Sequence, residues 1–180
     1  MNLLLYKNSK SIFWKLITLK QRLLGYGKYS QYSHIELSFC ENIIKEYWEY
    51  IPNLSGKGVV CFSSSEQDKG LRFKRINLNP KNWDVVELKE INEEMERKII
   101  QRCIQLQENR YNWVGILFWQ ILNINIKGKN SYFCSEICAK LLQVVHIEDD
   151  LCVESSLFIS PSRLVQLLVA KKKRGIKKLR

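Results

Sequence analysis

The sequence predicts an α+β fold, with helices packed on an antiparallel sheet, and three observations lead there. Short stretches of strand character, several with strict period-two alternation, fill the first half of the chain. The second half carries longer stretches with helical spacing. No linker, repeat or low-complexity segment divides the two, so residues 1–170 read as one domain followed by a basic tail, 171–180.

Residues 2–7, NLLLYK, form a short apolar strand. Residues 11–25 form an amphipathic helix in which Ile12, Leu16, Leu19 and Leu23 share a face and Gly25 is the stop. It reads as a core helix with exposed lysines; its interleaved basic and aromatic residues also fit a nucleic-acid surface or a membrane-facing helix. After a polar connector, HIELSFCE (34–41) puts Ile35, Leu37 and Phe39 on one face and His34, Glu36 and Ser38 on the other. The next stretch, IIKEYWEYI, fits strand or helix, and a turn spans Asn53 to Gly58.

Strands follow at 58–65, 71–78 and 83–89. The basic, hydroxyl-rich segment 63–75 between the first two reads as a solvated hairpin or the lining of a groove. A helix spans 92–108 with Asn92 as its N-cap and acids in its first turn. RYNWVGILFWQIL (110–122) starts as a loop and becomes a buried helix. A helix opening at Cys134 runs to about Val145. In the last helix Ser160 caps, Pro161 takes the first position, and Leu164, Leu167 and Leu168 face the core. Most of the tryptophans belong to the core, with Trp113, beside Tyr111, near the site.

Apolar residues at 46% and charged residues at 26% describe an ordinary globule. No apolar run reaches the roughly 18 residues of a membrane helix. The lysines follow rather than precede the first apolar run, the wrong order for a secretory signal, so a cytoplasmic protein is expected. The six cysteines then read as reduced thiols, mostly packed, and two histidines with no CxxC pair argue against a metal. No cofactor is expected. Net charge is +11, but the last ten residues hold seven basic groups and no acid, so subtracting them leaves +4. That tail reads as a solvated extension, or as an anchor for nucleic acid or an anionic membrane.

The chemistry centres on KNSYFCSEICAKLL (129–142). Cys134 stands at the first turn of a helix, where backbone N–H groups lack partners and the dipole is positive, so its thiol loses a proton readily. Cys138, one turn later among leucines, reads as structural. A thiol nucleophile needs a base. His146 is about 18 Å along the axis and out of reach. His34 opens a strand, and Glu36 at i+2 lies on the same side, placed to orient an imidazole.

The segments YSHIEL, FSSSEQDKGLRFKRI, RYNWVGIL and YFCSEICAKLL, in that order, resemble the circularly permuted branch of the NlpC-type papain-like hydrolases. This is the YiiX-like group, related to the lecithin:retinol acyltransferase proteins. In that branch the histidine strand precedes the cysteine helix, as His34 precedes Cys134. The resemblance spans roughly residues 30–165 and implies a small sheet or half-barrel packed against the nucleophile helix. It further implies Cys134 as nucleophile, His34 as base and Tyr111 as an oxyanion donor beside the Cys134 N–H, with Ser135 and Ser63 on the oxyanion or substrate side. For the third polar member it offers Ser63 or Ser64 on the following strand, against Glu36 from the spacing. Asn112 takes no catalytic role. The activity implied is a cysteine hydrolase or acyltransferase acting on a peptide, lipid or other acyl substrate. A non-catalytic binding protein on the same scaffold is the other reading.

Overall fold

A strand of three consecutive leucines with no alternation must be covered on both faces, and β1 (Asn2–Tyr6) is such a strand: Leu3, Leu4 and Leu5 are all buried. The computed structural model describes residues 1–7, 12–51, 54–65, 68–107, 110–111, 131–145, 159–171 and 176–178. β1 pairs antiparallel with β2 (His34–Ser38) on one side and β5 (Trp83–Glu87) on the other. Beyond β2 the sheet continues through β3 (Val59–Ser65), β4 (Gly70–Ile76), β6 (Arg110–Tyr111) and β7 (Ser131–Tyr132). Beyond β5 lies β8 (Ile176–Lys178). Neighbours run antiparallel except β6 and β7, which are parallel. The helices are α1 (Ile12–Leu23), the short α2 (Glu41–Ile44), α3 (Glu93–Leu106), α4 (Cys134–Gln143) and α5 (Pro161–Lys171). The chain is therefore α+β. Among the described residues no helix is long and apolar enough to cross a membrane.

Alternation along the strands sorts side chains to two cores. Leu3, Leu5, Ile35, Leu37 and Phe62 meet Ile99 and Ile100 of α3, Ile137 and Leu141 of α4, and Leu164 and Leu168 of α5 in one cluster. On the opposite face Leu4, Cys61, Trp83 and Val85 make a smaller one, extended by Tyr6 and Ile76. Each fully buried Leu or Ile contributes about 1.5–3 kcal/mol, so the helix-covered face carries most of the stability.

The helix starts follow their caps. The Asn92 side chain accepts from the Met95 N–H at 2.9 Å, and the Ser160 hydroxyl accepts from the Arg163 N–H at 3.2 Å, one turn into α5. Asn92→Ala should lower stability by about 1 kcal/mol, read as a shift in the urea midpoint at unchanged slope. The turn before β3 depends on Gly58, whose φ of 110° is open to glycine and where a Cβ would strike the Ile76 carbonyl.

Four expectations need correction. The α1 face of Leu16, Leu19 and Leu23 is exposed, and the helix instead buries Ile17 and Gln21. The cause is polar. The Gln21 carboxamide donates to the Tyr32 carbonyl at 3.2 Å and accepts from the Ser162 N–H at 2.9 Å, so a docking line through a glutamine displaced the leucine stripe. The stretch at 43–51, open between strand and helix, takes the helical alternative, completing α2 and continuing as a 3-10 turn, Lys45–Tyr50, and its Trp48 is exposed rather than core. Cys40, expected to be packed, is exposed, whereas Cys61, Cys103 and Cys138 are buried. The tail is not wholly a solvated extension, because Ile176–Lys178 pair with Asp84–Val86 and satisfy the outer edge of β5. The segment 112–130, with Asn112 and Trp113, and His146 and Cys152 lie outside the described residues. The 63–75 segment is a β3–β4 hairpin, in register from Val59 opposite Ile76 to Ser65 opposite Gly70.

Candidate active site

The site begins where two strands part. β2 and β3 pair at Leu37–Phe62 and Ser38–Cys61, and that register does not extend to the His34 end of β2. There the Ser63 hydroxyl donates to the Ile35 carbonyl at 2.7 Å, and α4 packs against both strands. Phe133 is extended, with φ −82° and ψ 161°, and α4 starts at the next residue. The Glu136 carboxylate turns back to accept from the Phe133 N–H at 3.5 Å, placing an acid against the positive end of the helix. Cys134 is thus the first residue of a helix whose opening N–H groups have no intrahelical partner.

The structure brings His34 to that sulfur. The two side chains lie close enough to act on each other's charge, and the Ile35 and Ser135 backbones also favour the thiolate. On its other side the ring makes a 3.0 Å contact from Nε2 to Glu36 Oε1, which leaves Nδ1 for the sulfur. Burial by itself would hold the Cys134 thiol protonated; the imidazolium of His34, helped by the polar backbone at Ile35 and Ser135, outweighs it and lowers the pKa below the ordinary value. Burial would likewise strip His34 of its proton, yet the thiolate and then Glu36 raise its pKa to about 9. Each group therefore favours the charged form of the other. Cys103 and Cys138, buried without a cation, have their thiols pushed far upward, so burial alone does not activate a cysteine here.

Arg72 completes the row and was not foreseen. Its guanidinium grips the buried Glu36 carboxylate with both arms, Nη2 to Oε1 at 2.9 Å and Nη1 to Oε2 at 3.1 Å, and its Nε donates to Asp68 at 2.7 Å. Lys74 donates to the same Asp68 at 3.0 Å. Burial opposes ionisation of Glu36, but His34 and Arg72 together hold its pKa below the usual carboxylate range. Alternation in LRFKRI put Arg72 and Lys74 on one face; only the register, Arg72 opposite Ser63, put that face over Glu36.

Of the three candidates for the third member, Glu36 alone is shown bonded to the imidazole. Ser63 is buried on the Ile35 carbonyl, and the Ser64 hydroxyl donates to the Tyr132 carbonyl at 2.7 Å. Ser135, expected toward substrate, is buried with its hydroxyl on the Ile159 carbonyl at 2.5 Å, so its contribution at the sulfur comes from its backbone. Tyr111 lies on β6 opposite Tyr132 in β7, two residues before Cys134; its side chain lies outside what is described. A groove of about 370 Å³ opens on His34, Glu36, Asp68 and Arg72, with Tyr6 and Trp83 among its walls. Cys134 does not line that groove and is buried. Neither a protein-family model nor a curated protein sequence matches the chain.

Proposed function

We propose that the chain is a thiol hydrolase or acyltransferase that cleaves an amide, ester or thioester bond on a permuted papain-like scaffold of the NlpC type. The observation that carries this reading is the continuous row Cys134–His34–Glu36–Arg72. A cysteine–base pair needs a nucleophile, a base and a group that orients the base; here α4 supplies the nucleophile, and β2 supplies both the base and its orienting carboxylate.

In the proposed reaction the Cys134 thiolate attacks the acyl carbon, forming the C–S bond while the carbonyl π electrons move to oxygen. That oxyanion would rest on the backbone N–H of Cys134 and on Tyr111. Imidazolium His34 gives its proton to the leaving nitrogen, oxygen or sulfur as the old bond breaks. Water, or a second acceptor, then loses a proton to His34 and attacks the acyl-enzyme, and the Cys134 sulfur leaves. Glu36 keeps the ring oriented and balances its charge throughout. Peptides, lipids and other acyl compounds are the substrate classes in view.

Incubation with an electrophilic acyl probe should label the wild-type chain at Cys134, and Cys134→Ala should remove that label entirely. Labelling that persists elsewhere at the wild-type level takes the nucleophile's role from Cys134. The burial of the Cys134 sulfur favours the second reading, a binding protein on the same scaffold. An unlabelled, folded wild-type chain would be its signature.

A further inference from the structure

Helix α1 carries an outward leucine face for which the proposed reaction has no use. Leu16 is 45% exposed, Leu19 52%, Leu23 81%, and Leu24 just beyond the helix 57%. They make up four of the seven large exposed hydrophobics among the described residues. The other long helices behave differently: α3 buries Ile99, Ile100 and Cys103, and α5 buries Leu164, Val165 and Leu168.

At about 100° per residue, Leu16, Leu19 and Leu23 fall within an arc of roughly 60°, opposite the buried Ile17 and Gln21. Lys20 borders that arc on one side, and Lys15 and Arg22 border it on the other. Lys28 follows in the turn that leads to β2, and no Asp or Glu occurs before Glu36. An apolar ridge bordered on both sides by cations and free of acids over the whole N-terminal segment fits one kind of surface. Leucines enter the acyl boundary while lysine and arginine heads reach anionic headgroups.

We infer that α1 docks this protein on an anionic lipid bilayer, lying in the interface with Leu16, Leu19 and Leu23 immersed and Lys15, Lys20 and Arg22 at the headgroups. The charge pattern selects lipid over a second copy of the chain, since two such faces would oppose cation to cation.

Flotation of the full-length chain with vesicles tests this. Vesicles of phosphatidylcholine with roughly 30% phosphatidylserine should bind it, and pure phosphatidylcholine should bind at least roughly tenfold more weakly. The double variant Leu19→Glu and Leu23→Glu alters exposed positions and should retain the wild-type melting temperature while losing at least roughly tenfold in vesicle affinity. Lys15→Glu with Arg22→Glu should also weaken binding, and wild-type binding should fall as salt rises. Wild-type protein that fails to float with anionic vesicles overturns the inference. So does a leucine variant that binds like wild type, which would assign the affinity to the basic segment at 171–180. A concentration-dependent dimer abolished by the leucine substitutions, without lipid binding, would assign the face to a second copy instead.

Discussion

Iodoacetamide should alkylate Cys134 at a lower pH than an ordinary thiol requires, and His34→Ala should cut its rate near pH ~7 by roughly 10- to 100-fold. Burial raises the thiol pKa, and the imidazolium is the largest influence acting against it. Without that cation, Cys134 joins Cys103 and Cys138, whose buried thiols are pushed far above the ordinary value. An ordinary thiol of pKa ~8.5 is about 3% ionised near neutrality, and one raised by burial less so. The lower intrinsic nucleophilicity of a low-pKa thiolate offsets part of the gain, which sets the smaller end of the range. In the wild type, the Cys134 profile should lie to the acid side of an ordinary thiol's and change character near the His34 pKa of about 9, where the imidazolium loses its proton. Peptide mapping by mass spectrometry reads the modified residue, with exposed Cys40 as the internal reference. Superimposable pH profiles for Cys134 in the two proteins would remove His34 as its partner.

The largest effect on stability should come from Arg72. Arg72→Ala leaves Glu36 buried with half of its charge compensation gone, and breaking a buried pair from one side costs about 3–5 kcal/mol. Urea denaturation measures it. Arg72→Met combined with Glu36→Gln removes both charges and should recover most of the loss, as a double-mutant cycle would show by a strong coupling. The pH dependence has a definite sign. Glu36 is depressed in the folded state, so its contribution is present above its unfolded pKa of about 4.3 and lost as pH falls through the lower folded value. Taking Arg72 away removes one cause of the depression and should move that loss toward higher pH. A cost below roughly 1 kcal/mol, or a double variant no better than the single, would reduce the bidentate contact to a surface ion pair.

Much of this architecture was legible one segment at a time. Three consecutive leucines announced a short apolar strand, and alternation in HIELS announced one face for Ile35 and Leu37 and the other for His34 and Glu36. The Asn92 and Ser160 caps were visible because capping is chemistry between near neighbours. The helix-start cysteine and its i+2 pair of histidine and glutamate belong to the same class of local signal. Alternation and spacing failed on α1, where counting apolar positions chose the leucines. A glutamine that satisfies two backbone groups on other elements chose the docking face instead.

What the chain determined by itself was therefore short-ranged: where strands and helices begin, which faces are apolar, and that a thiol at a helix start and a histidine on a strand were available. The fold decided which of these meet. Pairing register carried Arg72 across 36 positions to Glu36, and the parting of β2 from β3 opened the place where Cys134, a hundred residues from His34, could reach its ring. The same packing left Leu16, Leu19 and Leu23 turned outward. The physical reason is one of range. Periodicity and capping act within a turn or a strand, whereas register and docking come from the burial of apolar area and the satisfaction of polar groups summed over the whole domain.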